Sequence, residues 1–182
     1  MANEIEKKYR LSSEQKERVL EALKKIGARF EGEDFEENIL FSNSDLIEKR
    51  AVLRLRRIDK RTILTYKKRI ENELAVKNNI EYETEVSDFE EASKIFENLG
   101  FRRTLVYEKR RRTWKFQEVE IVLDKLPFGE FMEIEGSKTT IAEAETLIGA
   151  EDFEAEHLTY QNLSLKYGRK NGDVVEARFD EE

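Results

Sequence analysis

Residues 4–11 read EIEKKYRL, and charged side chains occupy every second position of this stretch. Side chains two residues apart on a β-strand point to the same side. If the stretch is a strand, one face therefore carries two acids followed by two bases: Glu4, Glu6, Lys8 and Arg10. The other face carries most of the apolar side chains. An ordinary half-buried strand has one solvated face, but it has no need for a face built only of opposite charges.

The same pattern recurs in six further segments with strand character: 51–58, 62–69, 80–86, 105–114, 119–126 and 130–136. Each segment has one apolar face and one ionic face. The cations on the ionic faces are Arg54, Arg56, Lys67, Lys109 and Arg111. The acids are Glu81, Glu83, Glu85, Glu120, Asp124, Glu133 and Glu135. Strand parity groups Lys109 with Arg111 and places Arg110 on the opposite face.

Helices are predicted at 12–27, 88–100 and 140–149, with a shorter one at 157–168. The first three have apolar residues at helical spacing and a capping box at their first residue. The boxes are Ser12 with Gln15, Asp88 with Glu91, and Thr140 with Glu143. In the second helix the predicted apolar stripe consists of Phe89, Ala92, Ile95, Phe96 and Leu99.

The two halves of the chain resemble each other weakly. Residues 6–12 and residues 81–87 are both alternating charged strands that lead directly into a capped helix. No Ser- or Gly-rich linker separates the halves, so we predict a single domain at 1–168. Residues 169–182 are predicted to form a polar C-terminal tail.

Two architectures satisfy the strand pattern. One is an open antiparallel sheet with helices on its apolar side and solvated charges on the other. The second is a closed barrel with its apolar side outward, partly covered by helices, and with charged groups lining the interior. The predicted helices have too little apolar surface to cover one large open sheet. The pattern therefore favours an α+β fold with a closed antiparallel barrel.

Composition narrows the range of partners. The chain has 182 residues, of which 40% are charged, and a net charge of −7. This charge disfavours general binding to nucleic acid or to acidic membranes, although the basic runs near Arg57 and Arg110 leave RNA binding as a minor alternative. Cysteine is absent, which excludes disulfides and thiolate metal sites. We expect a cytoplasmic protein, and the barrel exterior would permit a homodimer.

An interior lined by both signs of charge has a specific chemical use. Clustered carboxylates bind hard cations such as Mg²⁺ or Mn²⁺ through oxygen. Arginine and lysine bind phosphate oxygens, arginine through its planar fork and lysine as a point charge. Like charges crowded in an interior are costly unless a ligand neutralises them. The sequence therefore predicts a site for a metal-chelated polyphosphate.

The order of these motifs resembles the CYTH superfamily of triphosphate tunnel metalloenzymes. Glu4-x-Glu6-x-Lys8 resembles the family's N-terminal ExExK signature, and AVLRLRR, LTYKKR, YEKRRR, LDKL and FGEFMEIEG follow in the family's order. The resemblance covers residues 3 to about 165. It implies an eight-stranded antiparallel barrel that forms a triphosphate tunnel, with helices packed outside.

The resemblance also implies roles for individual residues. The metal ligands would be Glu4, Glu6, Asp124, Glu133 and Glu135, holding two Mg²⁺ or Mn²⁺ ions. The phosphate-binding residues would be Lys8, Arg54, Arg56, Lys67, Lys109 and Arg111. Glu4, Glu6 and Lys8 would be catalytic, and Glu81, Glu83 and Glu85 would complete an acidic wall.

The family performs two reactions, and the motif residues do not decide between them. Some members hydrolyse tripolyphosphate, thiamine triphosphate or a nucleoside triphosphate. Others are class IV adenylyl cyclases, which convert ATP to cyclic AMP and pyrophosphate. Bacterial cyclases of this class carry a His-Phe pair just before ExExK, where this chain has Met1, Ala2 and Asn3. We therefore favour a triphosphatase over a cyclase, with a non-catalytic triphosphate-binding module as a third hypothesis.

Overall fold

The structure is a computed structural model that describes residues 5–70 and 78–180, with the side chains of 69, 70, 78 and 79 not described. Glu4, a predicted metal ligand, lies outside the described residues. The strands of the main sheet are β1 (Ile5–Leu11), β2 (Arg29–Ser42), β3 (Ala51–Ile58), β4 (Arg61–Ile70), β5 (Asn78–Val86), β6 (Arg102–Phe116), β7 (Val119–Leu126) and β8 (Gly129–Gly136). The helices are α1 (Ser13–Lys25), α2 (Ser44–Glu48), α3 (Phe89–Asn98), α4 (Lys138–Ile148) and α5 (Tyr160–Tyr167).

The predicted α+β fold with an antiparallel sheet is confirmed. Within the described residues the strands follow the order β1-β8-β7-β6-β2-β3-β4-β5. The pairs with described register in this order are all antiparallel. Closure of this order into a barrel stays a prediction. No helix in the described part of the chain is long and apolar enough to cross a membrane.

The chain divides into two compact units. One unit consists of the described residues of Met1–Phe35, Lys109–Thr159 and Phe179–Glu182. The other consists of the described residues of Glu36–Glu108 and Tyr160–Arg178. We call them the first and second unit. The prediction of one domain at 1–168 followed by a tail stays a prediction.

The core of the first unit lies between one face of its strands and two helices. Tyr9 of β1, Ile121 of β7 and Ile134 of β8 are fully buried there. They pack with Val19 and Leu23 of α1, and α4 joins the same cluster. These strand residues occupy the apolar positions of the predicted pattern, so the charged positions lie on the opposite face.

The second unit has its own core. Ile39 and Phe41 of β2 pack there with Leu53 and Leu55 of β3. Phe89, the first residue of α3, is buried in the same cluster. The stripe predicted for α3 is only partly correct, because Ile95 and Leu99 are exposed. The helix is ten residues long and turns only its Phe89, Ala92 and Phe96 side toward the sheet.

The helix starts follow the capping rules with two corrections. The Ser12–Gln15 box is present at α1. At α4 the predicted Thr140 box is wrong, because the helix begins earlier: Ser137 is the N-cap and Thr140 is the third helical residue that completes its box. At α3 Asp88 accepts from the Glu91 backbone N–H, but the Glu91 side chain pairs with Lys94 instead of returning to the cap.

The C-terminal segment contains more regular structure than the predicted polar tail. Strands β9 (Arg169–Asn171) and β10 (Val174–Ala177) pair with each other in antiparallel fashion. β10 also pairs in parallel with residues 105–107 of β6. Ala177 is buried as a result.

Candidate functional site

The strand register of the first unit brings the predicted acids and bases onto one face. On β1 and β8, Glu6 lies opposite Glu135 and Lys8 lies opposite Glu133. On β6 and β7, Arg111 lies opposite Asp124. We call six of these residues the acid–base cluster: Glu6, Lys8, Lys109, Arg111, Asp124 and Glu133. Because the apolar residues of the same strands pack in the core, this face is the polar one.

Arg111 joins the two most buried acids of the acid–base cluster. Its Nε donates to Asp124 Oδ1 at 2.8 Å and its Nη2 donates to Asp124 Oδ2 at 2.6 Å. The same Nη2 lies 2.6 Å from Glu133 Oε2. Asp124 is completely buried and Glu133 is 6% exposed. A planar guanidinium can bind one carboxylate with two parallel hydrogen bonds and still reach a second, which a lysine cannot.

Two lysines complete the neutralisation of these acids. Lys8 Nζ lies 3.0 Å from Glu133 Oε1 and 3.4 Å from Glu6 Oε1. Lys109 is buried, with its Nζ 3.5 Å from Asp124 Oδ2. The buried carboxylates are therefore held by cations from β1 and β6, which makes their burial tolerable.

The cations of the cluster do not fully offset the cost of burying the Glu133 carboxylate. Burial raises the pKa of the Glu133 carboxyl, and the nearby Asp124 carboxylate raises it further. The positive charges of Arg111 and Lys8 act to lower the pKa of Glu133. Glu6 also lies within hydrogen-bonding reach of Glu133. Two carboxylates in contact require a shared proton or a cation between them.

The acids of this face are the type of ligand that a hard divalent cation prefers. They are carboxylates on the neighbouring strands β1, β8 and β7, and Glu135 lies between Glu6 and Glu120 in register. A cavity of about 360 Å³ is lined by Glu120 and Glu135 among others. No three metal-ligating side chains converge within residues 5–70 and 78–180, where Arg111 and the lysines hold the acids instead. A cation would bind by taking carboxylate oxygens over from these bases.

The second unit carries a separate cationic face. Arg54 lies opposite Thr65, and Thr65 lies opposite Glu83, so these residues share one side of the sheet with Arg56 and Lys67. We call Arg54, Arg56 and Lys67 the arginine face. Arg54 lines a cavity of about 90 Å³ together with Lys67, Glu81 and Gln161 of α5. Gln161 was not predicted, because nothing in the sequence of α5 indicates its position.

The predicted acidic wall pairs with the arginine face. Lys67 Nζ lies 3.0 Å from Glu81 Oε2, and Arg56 Nη2 lies 3.8 Å from Glu83 Oε2. Glu85 occupies the same face by register, opposite Ile63. These pairs are half-exposed, so each adds little to stability.

The arginine face also contains residues that sequence analysis did not single out. Tyr107 of β6 is buried and within hydrogen-bonding reach of Arg54, and burial raises the pKa of its hydroxyl. Glu36 of β2 is buried, and its negative charge acts to raise the pKa of both Arg56 and Tyr107. Burial and the like charge of Arg54 lower the pKa of Arg56. The alternation of β2, with Ile39 and Phe41 in the core, could have placed Glu36 and Asn38 on this face.

Comparison with known proteins identifies the family of this chain. The family model of the CYTH domain matches residues 2–165. The chain belongs to the CYTH family. A CYTH relative from Methanocaldococcus jannaschii, provisionally named an adenylate cyclase, is 31% identical over 147 residues, which cover 79% of this chain and 83% of the relative.

Solved structures agree with this assignment. The PH1012 protein from Pyrococcus horikoshii matches with a TM-score of 0.70 and 28% identity, over 88% of this chain and 98% of its own. A Hippeastrum protein, provisionally named an adenylyl cyclase and described as having a dominant triphosphatase activity, matches with a TM-score of 0.65 over 88% of this chain and 93% of its own. At 16% identity the second likeness concerns the fold alone. This CYTH chain therefore has the antiparallel sheet with a few helices that its sequence predicted.

Proposed function

We propose that this CYTH protein is a divalent-metal-dependent phosphohydrolase for a triphosphate-bearing substrate: tripolyphosphate, thiamine triphosphate or a nucleoside triphosphate. The observation that carries the proposal is Arg111, bound at 2.6 Å to both Asp124 and Glu133. A guanidinium with carboxylates on both sides can release one of them to a metal and take a phosphate oxygen in its place. Acids for metal and bases for phosphate are then present in one cluster.

The bases bind the polyanion. In the first unit Lys8, Lys109 and Arg111 pair with carboxylates. In the second unit Arg56 and Lys67 do the same, while Arg54 donates to the Thr65 hydroxyl. A triphosphate carries more negative charge than a carboxylate, and its oxygens accept the same hydrogen bonds, so it can replace these partners. Charge that develops on the transferred and leaving phosphates is then met by fixed donors.

The acids hold the cations that the reaction needs. We assign Glu6, Asp124, Glu133 and Glu135, with Glu4, as ligands of two Mg²⁺ or Mn²⁺ ions. If bound there, such ions would supply Lewis-acid chemistry: they would offset charge on the phosphates and make water a better nucleophile. In the overall reaction a water oxygen bonds to the terminal phosphorus, the P–O bond to the next phosphate breaks, and orthophosphate is released.

A second candidate function is a class IV adenylyl cyclase. The M. jannaschii relative, provisionally named an adenylate cyclase, favours it. The same bases would then stabilise pyrophosphate as leaving group, while the ribose 3′-hydroxyl attacks the α-phosphorus. The departure from the His-Phe pair before ExExK favours hydrolysis.

A pair of glutamates on one strand tests the proposal. Glu135→Gln removes the charge of a proposed metal ligand, and we expect at least a hundredfold loss of Mg²⁺-dependent tripolyphosphate hydrolysis, because the neutral amide binds a hard cation weakly. Glu130→Gln is the matched control, since Glu130 lies on the other face of β8 and pairs with Lys16. Orthophosphate release is the measurement. Wild-type rates in the Glu135 variant would remove this residue from the metal site.

A further inference from the structure

Asn38 is placed among the residues of the arginine face. It lies in the middle of β2, opposite Arg56 in register. Its neighbour Ile39 and the next residue of the same parity, Phe41, pack in the core of the second unit. Because neighbouring side chains on a strand point to opposite faces, Asn38 shares the face of Arg54 and Arg56.

The amide of Asn38 is fully buried and lacks hydrogen bonds. Its exposure is 0%, and neither Oδ1 nor Nδ2 has a hydrogen-bond partner among residues 5–70 and 78–180. Arg56 Nε on the adjacent strand also lacks one among these residues. Buried polar groups are almost always hydrogen-bonded, and one that is not lowers the stability of the protein. Two such groups on adjacent strands require a common explanation.

We propose that Asn38 is a further phosphate-binding residue, whose Nδ2–H donates together with Arg56 Nε–H to one phosphoryl group of the triphosphate. This inference rests on the proposed substrate, but it does not require that the substrate is hydrolysed. A phosphate oxygen accepts several hydrogen bonds at once, so both donors can be satisfied by one group.

The charges around Asn38 explain why an amide is suited to this position. Arg54 and Arg56 already lie two residues apart on one face, and burial and the charge of Arg54 both disfavour the charged form of Arg56. A third cation here would add repulsion in the absence of ligand. An amide supplies donors without charge.

Replacement of Asn38 should weaken the binding of tripolyphosphate without lowering the stability of the unliganded protein. Asn38→Leu keeps a similar volume and removes the buried polar atoms. We expect a melting temperature equal to or above that of the wild type, because no hydrogen bond of the unliganded protein is lost. We also expect at least tenfold weaker binding of tripolyphosphate. Asn38→Asp keeps the shape but replaces the donors with a negative charge, so it weakens binding more.

Calorimetric titration with tripolyphosphate in the presence of EDTA measures the affinity of each variant. A thermal scan of each sample measures its melting temperature. Thr62→Val is the control, since Thr62 is buried on β4 with the opposite parity. Weaker binding in both Asn38 variants and not in the Thr62 variant supports the proposal. Equal affinity in the Asn38 variants overturns it, and so does a lower melting temperature of Asn38→Leu with unchanged affinity.

The same samples separate this inference from the proposed function. If the wild type binds tripolyphosphate and the Asn38 variants bind it more weakly, but no orthophosphate appears with Mg²⁺ or Mn²⁺, the hydrolase proposal fails and the role of Asn38 stands. If the wild type binds no tripolyphosphate with or without metal, both fail.

Discussion

At the scale of single residues, the register of the strands decides which charges meet. Parity alone groups Lys109 with Arg111 and predicts that Asp124 and Glu133 lie on polar faces. It cannot predict that Arg111 bonds to both acids, because that depends on how β6, β7 and β8 are aligned. The sequence thus predicted the members of the acid–base cluster but not their pairing.

Arg111→Met tests the pairing. We expect the free energy of unfolding to fall by about 3 kcal/mol, because buried Asp124 loses the partner that binds both of its oxygens. Arg110→Met is the control on the opposite face, where Arg110 contacts the ring of Phe35; it should cost less than about 1 kcal/mol. Urea unfolding measures both. Equal losses in the two variants would contradict the assignment.

Tyr9 is a second residue whose role follows from its contacts. Its hydroxyl donates to buried Glu145 of α4, which also accepts from Lys7. Burial and the Glu145 carboxylate raise the pKa of Tyr9, so the hydroxyl stays protonated and continues to donate. This contact fixes α4 to β1, the strand that carries Glu6 and Lys8.

Tyr9→Phe should lower the free energy of unfolding by about 1–3 kcal/mol, since a hydrogen bond to a charged acceptor is lost. Tyr82→Phe is the control, because Tyr82 is largely exposed and should change stability by less than about 0.5 kcal/mol. Chemical denaturation at neutral pH measures the difference. A Tyr9 variant as stable as the control would show that the contact adds nothing.

At the scale of elements, local signals were reliable where one residue type dominates the local geometry. The Ser12 box and the end of α1 shortly before Gly27, whose φ is 73°, follow from capping chemistry that needs only a few neighbouring residues. α2 was missed because five residues give no helical period. β10 was missed because its partner is a distant part of β6, and β9 was missed with it because β9 pairs with β10. Polar composition alone resembles a tail.

A chain that ends at Gly168 tests the role of β10. We expect it to lose about 2–4 kcal/mol of unfolding free energy, because it lacks the backbone pairing to β6 and the ion pairs of Arg178 with Glu37 and Glu108. Arg178→Ala in the full chain separates the two contributions and should lose about 1 kcal/mol. Thermal and urea unfolding are the measurements. A truncated chain as stable as the full one would make residues 169–182 a dispensable tail.

At the scale of the whole molecule, the distribution of charge explains the unusual composition. A chain with 40% charged residues folds because its strands direct apolar residues to two cores and charges to opposite faces. The polar faces hold buried acids and bases together, which is stable only while each charge has a partner. Sequence periodicity predicted this division. Alternation along β2 could also have placed Glu36 and Asn38 on the polar side, but only the strand order shows that they lie near Arg56 and Tyr107.

We propose that these faces serve the hydrolysis of a triphosphate. Incubation of the protein with tripolyphosphate and with ATP, each with Mg²⁺ or Mn²⁺, followed by ³¹P NMR, tests it most directly. We expect orthophosphate, with pyrophosphate from tripolyphosphate or ADP from ATP, and no such products when EDTA replaces the metal. Cyclic AMP with pyrophosphate from ATP, or no turnover of either compound, would contradict it.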